Sequence, residues 1–101
     1  MGPRLVVTPG DPRGIGPEVT AEAVRLLERE SPEASLSVVG PNGPLPLAEL
    51  DSLRQDFSHN TRGNLDPFGA DPAAGAFAGG AILRAVEMTV AGSAHAIVTA
   101  P

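Results

Sequence analysis

Five of the eight residues from Pro9 to Gly16 are proline or glycine: Pro9, Gly10, Pro12, Gly14 and Gly16. Neither a helix nor a central strand tolerates so many ring-locked φ angles and unconstrained glycines, so the chain must turn here. What flanks the turn decides what kind of turn it is. Leu5-Val6-Val7-Thr8 is a short apolar run and reads as a buried strand. Pro17 stands where a helix starts, because its missing N–H costs nothing in a first turn. Glu18 follows, at the positive end of the helix dipole. Val19, Ala23, Leu26 and Leu27 recur at i, i+4, i+7 and i+8 and predict the apolar face, with Glu22, Arg25, Glu28 and Arg29 largely on the other side. Ser31-Pro32 ends the helix.

Leu36 to Val39 reads as a second strand, stopped by Gly40-Pro41-Asn42-Gly43-Pro44. Residues 41–72 are loop-rich. Leu47 to Leu53 suits a short helix, and Ser58 to Gly69 is polar and reads as loop. A structureless stretch of that length is unusual in a compact domain, and reads either as an arm or as a place where an ordinary element is missing. From Ala73 helical spacing returns, in Phe77, Ala81, Ala85 and Met88 and again in Ile82, Val86 and Val90. So wide an apolar surface predicts a helix buried on more than one side. Gly79-Gly80 either weakens it, by about 1 kcal/mol per glycine relative to alanine, or permits close packing. Gly92 is a stop signal, and Ala96-Ile97-Val98-Thr99 a third strand. Strands alternating with helices predict an α/β domain with parallel strands and right-handed crossovers.

Composition narrows the function classes. The 101 residues suffice for one small domain. With three Phe and no Tyr or Trp, the core must come from Val, Leu, Ile and Ala, as parallel sheets prefer. A net charge of −5 argues against a nucleic-acid surface. All seven cationic side chains are Arg, so no Lys serves as base or Schiff-base former. The absence of Cys excludes disulfides, cysteine–zinc sites and thiol catalysis. No apolar run in the sequence approaches the roughly 20 residues of a membrane span, and the apolar start is too short for a signal peptide, so no membrane partner and a cytoplasmic location are expected.

Gly10 to Glu18 lies between a strand and a helix, where open α/β sheets place ligands. Gly14 and Gly16 allow close backbone approach, the amides at the helix start suit an anion, and Arg13 offers a charge-assisted contact. The segment is no Rossmann fingerprint: Val19 stands where a third Gly or Ala is required, and Gly40-Pro41-Asn42 where an acid is expected. It is no Walker loop, which requires Lys. From the residues alone the simpler reading is a turn feeding a well-started helix, with Glu18 as dipole partner and Asp11 as turn former. His59 reads as a solvated loop residue and His95 as a strand-edge residue; two lone His do not make a metal site.

Gly10 to Glu18 resembles the GDPxGIGPE signature of the 4-hydroxythreonine-4-phosphate dehydrogenase family, with Arg13 in the variable position. It is less closely similar to the GDGIGPEV start of isocitrate and isopropylmalate dehydrogenases, which share the overall fold. The segment from Arg84-Ala85-Val86-Glu87 to Gly92, followed by Ala96 to Pro101, resembles the helix and strand leading into that family's TAP-(I/V)-N-K loop. The two matches cover Leu5 to about Gly40 and Ala73 to Pro101. The resemblance implies that residues 1–101 form the amino-terminal fragment of a single dehydrogenase α/β domain. The implied architecture is a partial parallel-strand sheet with flanking helices, the first part of an isocitrate/isopropylmalate dehydrogenase-like fold.

The implied activity is NAD-dependent oxidation, with decarboxylation, of 4-phosphooxy-L-threonine on the way to pyridoxal 5′-phosphate. The family's cofactors are NAD and a divalent metal, the metal held by three His, in a homodimer with the site between subunits; the partner is a small phosphorylated substrate. Those His belong to family sequence past the point that Pro101 matches. No catalytic residue or metal ligand is therefore carried over, and the 101 residues are expected to be inactive alone. Carried over as cleft-lining, cofactor-side residues are Gly10, Asp11, Gly14, Ile15, Gly16 and Glu18, with Thr99 facing the same crevice. Arg54 to Gly69 does not match the family's longer middle region. Two alternatives remain: a dehydrogenase of a phosphorylated four-carbon sugar acid, and a non-catalytic binding module that buries helix 76–91 against a partner.

Overall fold

A computed structural model describes residues 2–60 and 72–101. In chain order the elements are β1 (Arg4–Thr8), α1 (Gly16–Glu30), β2 (Ser35–Gly40), β3 (Gly43–Pro44), α2 (Leu47–Asn60), α3 (Pro72–Val90) and β4 (Ala96–Thr99). The sheet order is β3-β2-β1-β4. β1 pairs in parallel with both neighbours, Val7 lying opposite Val38 of β2 and Val98 of β4. Consecutive residues of a strand face opposite sides. Val7 and Val38 therefore pack with Ala21 and Val24 of α1 and Leu50 and Leu53 of α2, whereas Val6 and Val39 pack with Ala85 of α3 and with Ala94. Continuous apolar runs, rather than alternating ones, are what a strand covered on both faces requires. Val6 and Val39 are wholly buried, each contributing about 1.5–3 kcal/mol relative to exposure.

The sheet is mixed, not all parallel as the alternation of elements predicts. Gly43 takes φ 123°, which lets the chain reverse so that β3 runs antiparallel to β2, with Val39 opposite Pro44. The Gly/Pro stop after β2 thus contains a strand. The middle is also less loop-rich than expected: α2 continues past Leu53 to Asn60 and takes in Ser58, His59 and Asn60. His59 is therefore a residue of the last turn of a helix rather than of a loop. The rest of the expected loop, residues 61–69, lies outside the described residues.

Both long helices bury a different stripe from the one their large residues predict. α1 packs through Pro17, Thr20, Ala21 and Val24, and leaves Val19, Ala23, Leu26 and Leu27 exposed. α3 packs through Ala74, Ala81 and Ala85, and leaves Ile82, Leu83, Val86 and Val90 exposed. It is thus not buried on several sides. Small residues let each helix axis lie close to the sheet, and the branched residues are displaced to the flanks. At 19 residues α3 is long and apolar enough to cross a membrane by length and composition, contrary to the sequence expectation; here it lies along the sheet.

Candidate functional site

The Pro/Gly elbow sits at the carboxyl ends of β1 and β4. Thr8 is paired with Thr99, and the Ala100 amide donates to the Thr8 carbonyl at 2.9 Å. The Asp11 amide then donates to the Pro101 carbonyl at 3.2 Å, so the loop is stitched to the end of β4. Gly10 takes φ 76°, and a Cβ there would run into the Pro101 carbonyl. A Cβ on Gly16 would strike the Pro9 carbonyl and come 2.8 Å from the Pro101 carbonyl. Pro9, Pro12 and Pro17 are fully buried. Two glycines thus allow three backbone segments to meet where only hydrogen side chains fit. Gly14 closes the turn by donating to the Asp11 carbonyl at 3.0 Å, with ordinary room around it.

The charges of the loop are turned on each other. Asp11 Oδ1 accepts from the Arg13 amide at 2.9 Å and from Arg13 Nε at 3.2 Å, and Arg13 Nη2 donates to Oδ2 at 2.9 Å. The Arg13 guanidinium and amide hold the Asp11 carboxyl below its ordinary range, against a smaller opposing effect of burial. Arg13 is therefore an internal clamp of the loop rather than the outward anion contact its sequence position suggests. Ile15 occupies the cap position of α1, makes no side-chain cap and is largely exposed at the rim. The opening turn of α1 accordingly keeps donor capacity for an anion or water. Glu18 lies on the exposed face of that turn.

The seven residues marked in the sequence thus divide by place. Gly10, Asp11, Gly14, Ile15 and Gly16 form one continuous elbow, Thr99 stands across from it at the end of β4, and Glu18 lies in the first turn of α1. At the amino end of the sheet lies a link that sequence reading missed. His95 Nδ1 accepts from the Arg4 amide at 2.9 Å, while the His95 amide donates to the Arg4 carbonyl at 2.7 Å. The Arg4 guanidinium reaches the carbonyls of Gly92 and Ser93, just past the end of α3. His95 is a strand-edge residue with a structural hydrogen bond, and Arg4 caps the negative end of α3. No local pattern announces a bond between residues 91 positions apart.

Among the described residues no three His, Asp or Glu side chains come together as metal ligands do. The described residues therefore do not by themselves form a divalent-metal site. What the elbow provides is a rigid wall, backbone donors and a self-neutralised ion pair.

Three curated proteins are similar to this sequence. Over its whole length the chain is 33% identical to a 4-hydroxythreonine-4-phosphate dehydrogenase of Stenotrophomonas maltophilia strain K279a and 34% identical to that of strain R551-3, spanning 35% of each. It is 38% identical over 66 residues, 61% of this chain and 21% of the relative, to a 1,2-dihydroxy-3,5-cyclohexadiene-1,4-dicarboxylate dehydrogenase of a Comamonas species. The chain thus spans about a third of the length of the Stenotrophomonas proteins and less of the Comamonas one. The two Stenotrophomonas alignments run over 115 positions against 101 residues here, so those relatives carry additional residues within the matched region. No family model and no solved structure matches. All three relatives are named dehydrogenases, so the proteins this chain is similar to are oxidoreductases.

Proposed function

We propose that this chain forms one wall of the cofactor and substrate cleft of a dehydrogenase, acting with NAD on 4-phosphooxy-L-threonine in pyridoxal 5′-phosphate synthesis in the cytoplasm. The observation that carries the reading is the match to the two Stenotrophomonas enzymes along all 101 residues, with the elbow at the carboxyl ends of two adjacent parallel strands. That is where open α/β sheets hold ligands. In this reading bound NAD would supply the acceptor for a hydride from the substrate's secondary alcohol. The chain's own residues position rather than react: Gly10 and Gly16 bring the backbone close, the first turn of α1 faces an anionic group, and the Asp11–Arg13 clamp fixes the loop. Proton abstraction and metal binding belong to other parts of such an enzyme.

The second reading rests on the Comamonas relative, whose identity is higher over a shorter stretch. It keeps the hydride chemistry and exchanges the substrate for a cyclic dihydroxy dicarboxylate. A chimera separates the two. This chain replaces the matched third of the Stenotrophomonas enzyme, and NAD reduction is followed with each substrate. Turnover of 4-phosphooxy-L-threonine is expected. A folded chimera inactive with it, or preferring the cyclic diol, overturns the reading.

A further inference from the structure

The turn between β2 and β3 carries a reactive pair that the proposed activity does not use. Asn42 is exposed, and the residue after it, Gly43, has no side chain. Gly43 takes φ 123°, and a Cβ there would have nothing within 4 Å, so no atom walls off that side of the residue. Asparagine is thermolabile because the nitrogen of the following peptide bond attacks its carboxamide. A side chain on the following residue obstructs that attack, and glycine offers no obstruction. The other two asparagines of the chain precede Thr61 and Leu65, and no aspartate precedes a glycine. The reaction is therefore concentrated at one bond.

The fold controls when that bond can react. While the hairpin is closed, Gly43 lies opposite Gly40 in the ladder and its nitrogen is held in place. The hold is weak. β3 has two residues and sits at an edge of the sheet. Pro44, opposite Val39, has no N–H to give to β2. Past it the Leu45 amide donates to the Val38 carbonyl at 2.7 Å, and Leu45 packs against the α1/α2 core. An edge element held by so few bonds opens locally at a small part of the global unfolding free energy.

We propose that Asn42–Gly43 is a self-modification site gated by the opening of β3, and that its conversion to aspartate or isoaspartate unpins β3 from the sheet. The Gly43 nitrogen forms a bond to Asn42 Cγ, the Cγ–Nδ2 bond breaks, and ammonia leaves with the Gly43 amide proton, carried by solvent. Water then opens the five-membered imide at either carbonyl. One opening gives aspartate. The other gives isoaspartate, whose main chain runs through Cβ and is longer by one carbon. Water is the only co-reactant, and nothing is oxidised or reduced. The longer main chain displaces Gly43 and Pro44 from Gly40 and Val39 and draws the Leu45 amide away from Val38. Either product adds a negative charge to a chain already at −5. The inference is independent of the dehydrogenase reading.

The test holds the folded protein at mildly alkaline pH and follows it by peptide mass mapping, enzymatic methylation of isoaspartyl groups and backbone amide exchange. Conversion of the carboxamide to a carboxyl is expected at Asn42, with methyl label on the same peptide. The label should be lost in Asn42→Gln, which lengthens the side chain past easy ring closure at an exposed position; circular dichroism checks its folding, and the wild-type peptide map locates the site without it. Conversion should be faster in urea, where β3 is open throughout. The modified protein should lose protection of the Leu45 amide while keeping that of β1. A folded protein that does not convert at Asn42 while the same chain in urea does, label that persists in Asn42→Gln, equal rates in the two solvents, or unchanged Leu45 protection after conversion overturns the proposal.

Discussion

At the scale of the residue, the elbow depends on two glycines and one acid. Gly16→Ala should destabilise the protein by about 2 kcal/mol or more, because the new Cβ meets the carbonyls of Pro9 and Pro101 with no flexible side chain to yield. Urea denaturation measures it, and a cost within a few tenths of wild type would mean that the three segments do not meet. Asp11 makes a pH prediction. Its folded pKa lies below its ordinary value of 3.8, so its contribution is fully present above that value. It is lost as pH falls through the lower, folded pKa. The side chains of the pair are a third or more exposed, so Asp11→Asn should cost only about 0.5–1 kcal/mol at neutral pH. The gap between wild type and variant should close as acid protonates Asp11, and a gap that widened in acid would contradict the clamp. The glycines were legible in the sequence because conformational freedom is a property of one residue. The direction of Arg13 was not, because a guanidinium pairs with whichever acid the loop's path brings near.

β1, α1, β2, α3 and β4 were legible nearly to their ends, since strand runs, Pro17 and Gly92 act locally, whereas α2 runs on from the expected Leu53 to Asn60. The buried faces were not. Periodicity marks which residues are apolar, but axis-to-sheet distance decides which apolar stripe is used, and on both α1 and α3 a stripe of small residues won. β3 was hidden because its pairing with β2 rests on one left-handed glycine inside an apparent stop signal. The Gly79-Gly80 pair divides between the two readings open to it. A Cβ on Gly79 meets open space, whereas one on Gly80 would lie 2.9 Å from the Pro41 Cβ. Gly79→Ala should therefore stabilise α3 by up to about 1 kcal/mol through helix propensity. Gly80→Ala should gain less, or lose stability, by pressing on Pro41. Thermal melts of the two variants, read side by side, check the ordering; equal shifts would mean that α3 does not touch Pro41.

Taken as a whole, the molecule has two cores of unequal strength on the two faces of one sheet. The α1/α2 side is filled by Val7, Val24, Val38, Leu50 and Leu53, with Phe57 and Phe77 packed against them. The α3 side holds Val6, Val39, Ala85 and Ala94, with Met88 and Ile97 beside them. Apolar burial sets how much free energy an element loses by leaving the sheet, so α3 should detach at a lower cost than the strands unfold. Native-state hydrogen exchange should show α3 amides opening at a smaller free energy than those of β1 and β2. Leu50→Ala removes a fully buried side chain from the stronger core, at about 2–5 kcal/mol, against a total of about 5–15 kcal/mol for a domain of this size. It should lower the protection of β1, β2 and α1 by that amount while changing the local opening of α3 far less, because Leu50 lies on the other face. If α3 and β1 amides exchanged at one common free energy, and Leu50→Ala shifted both alike, the two faces would be a single cooperative unit and the unequal packing would have no energetic consequence.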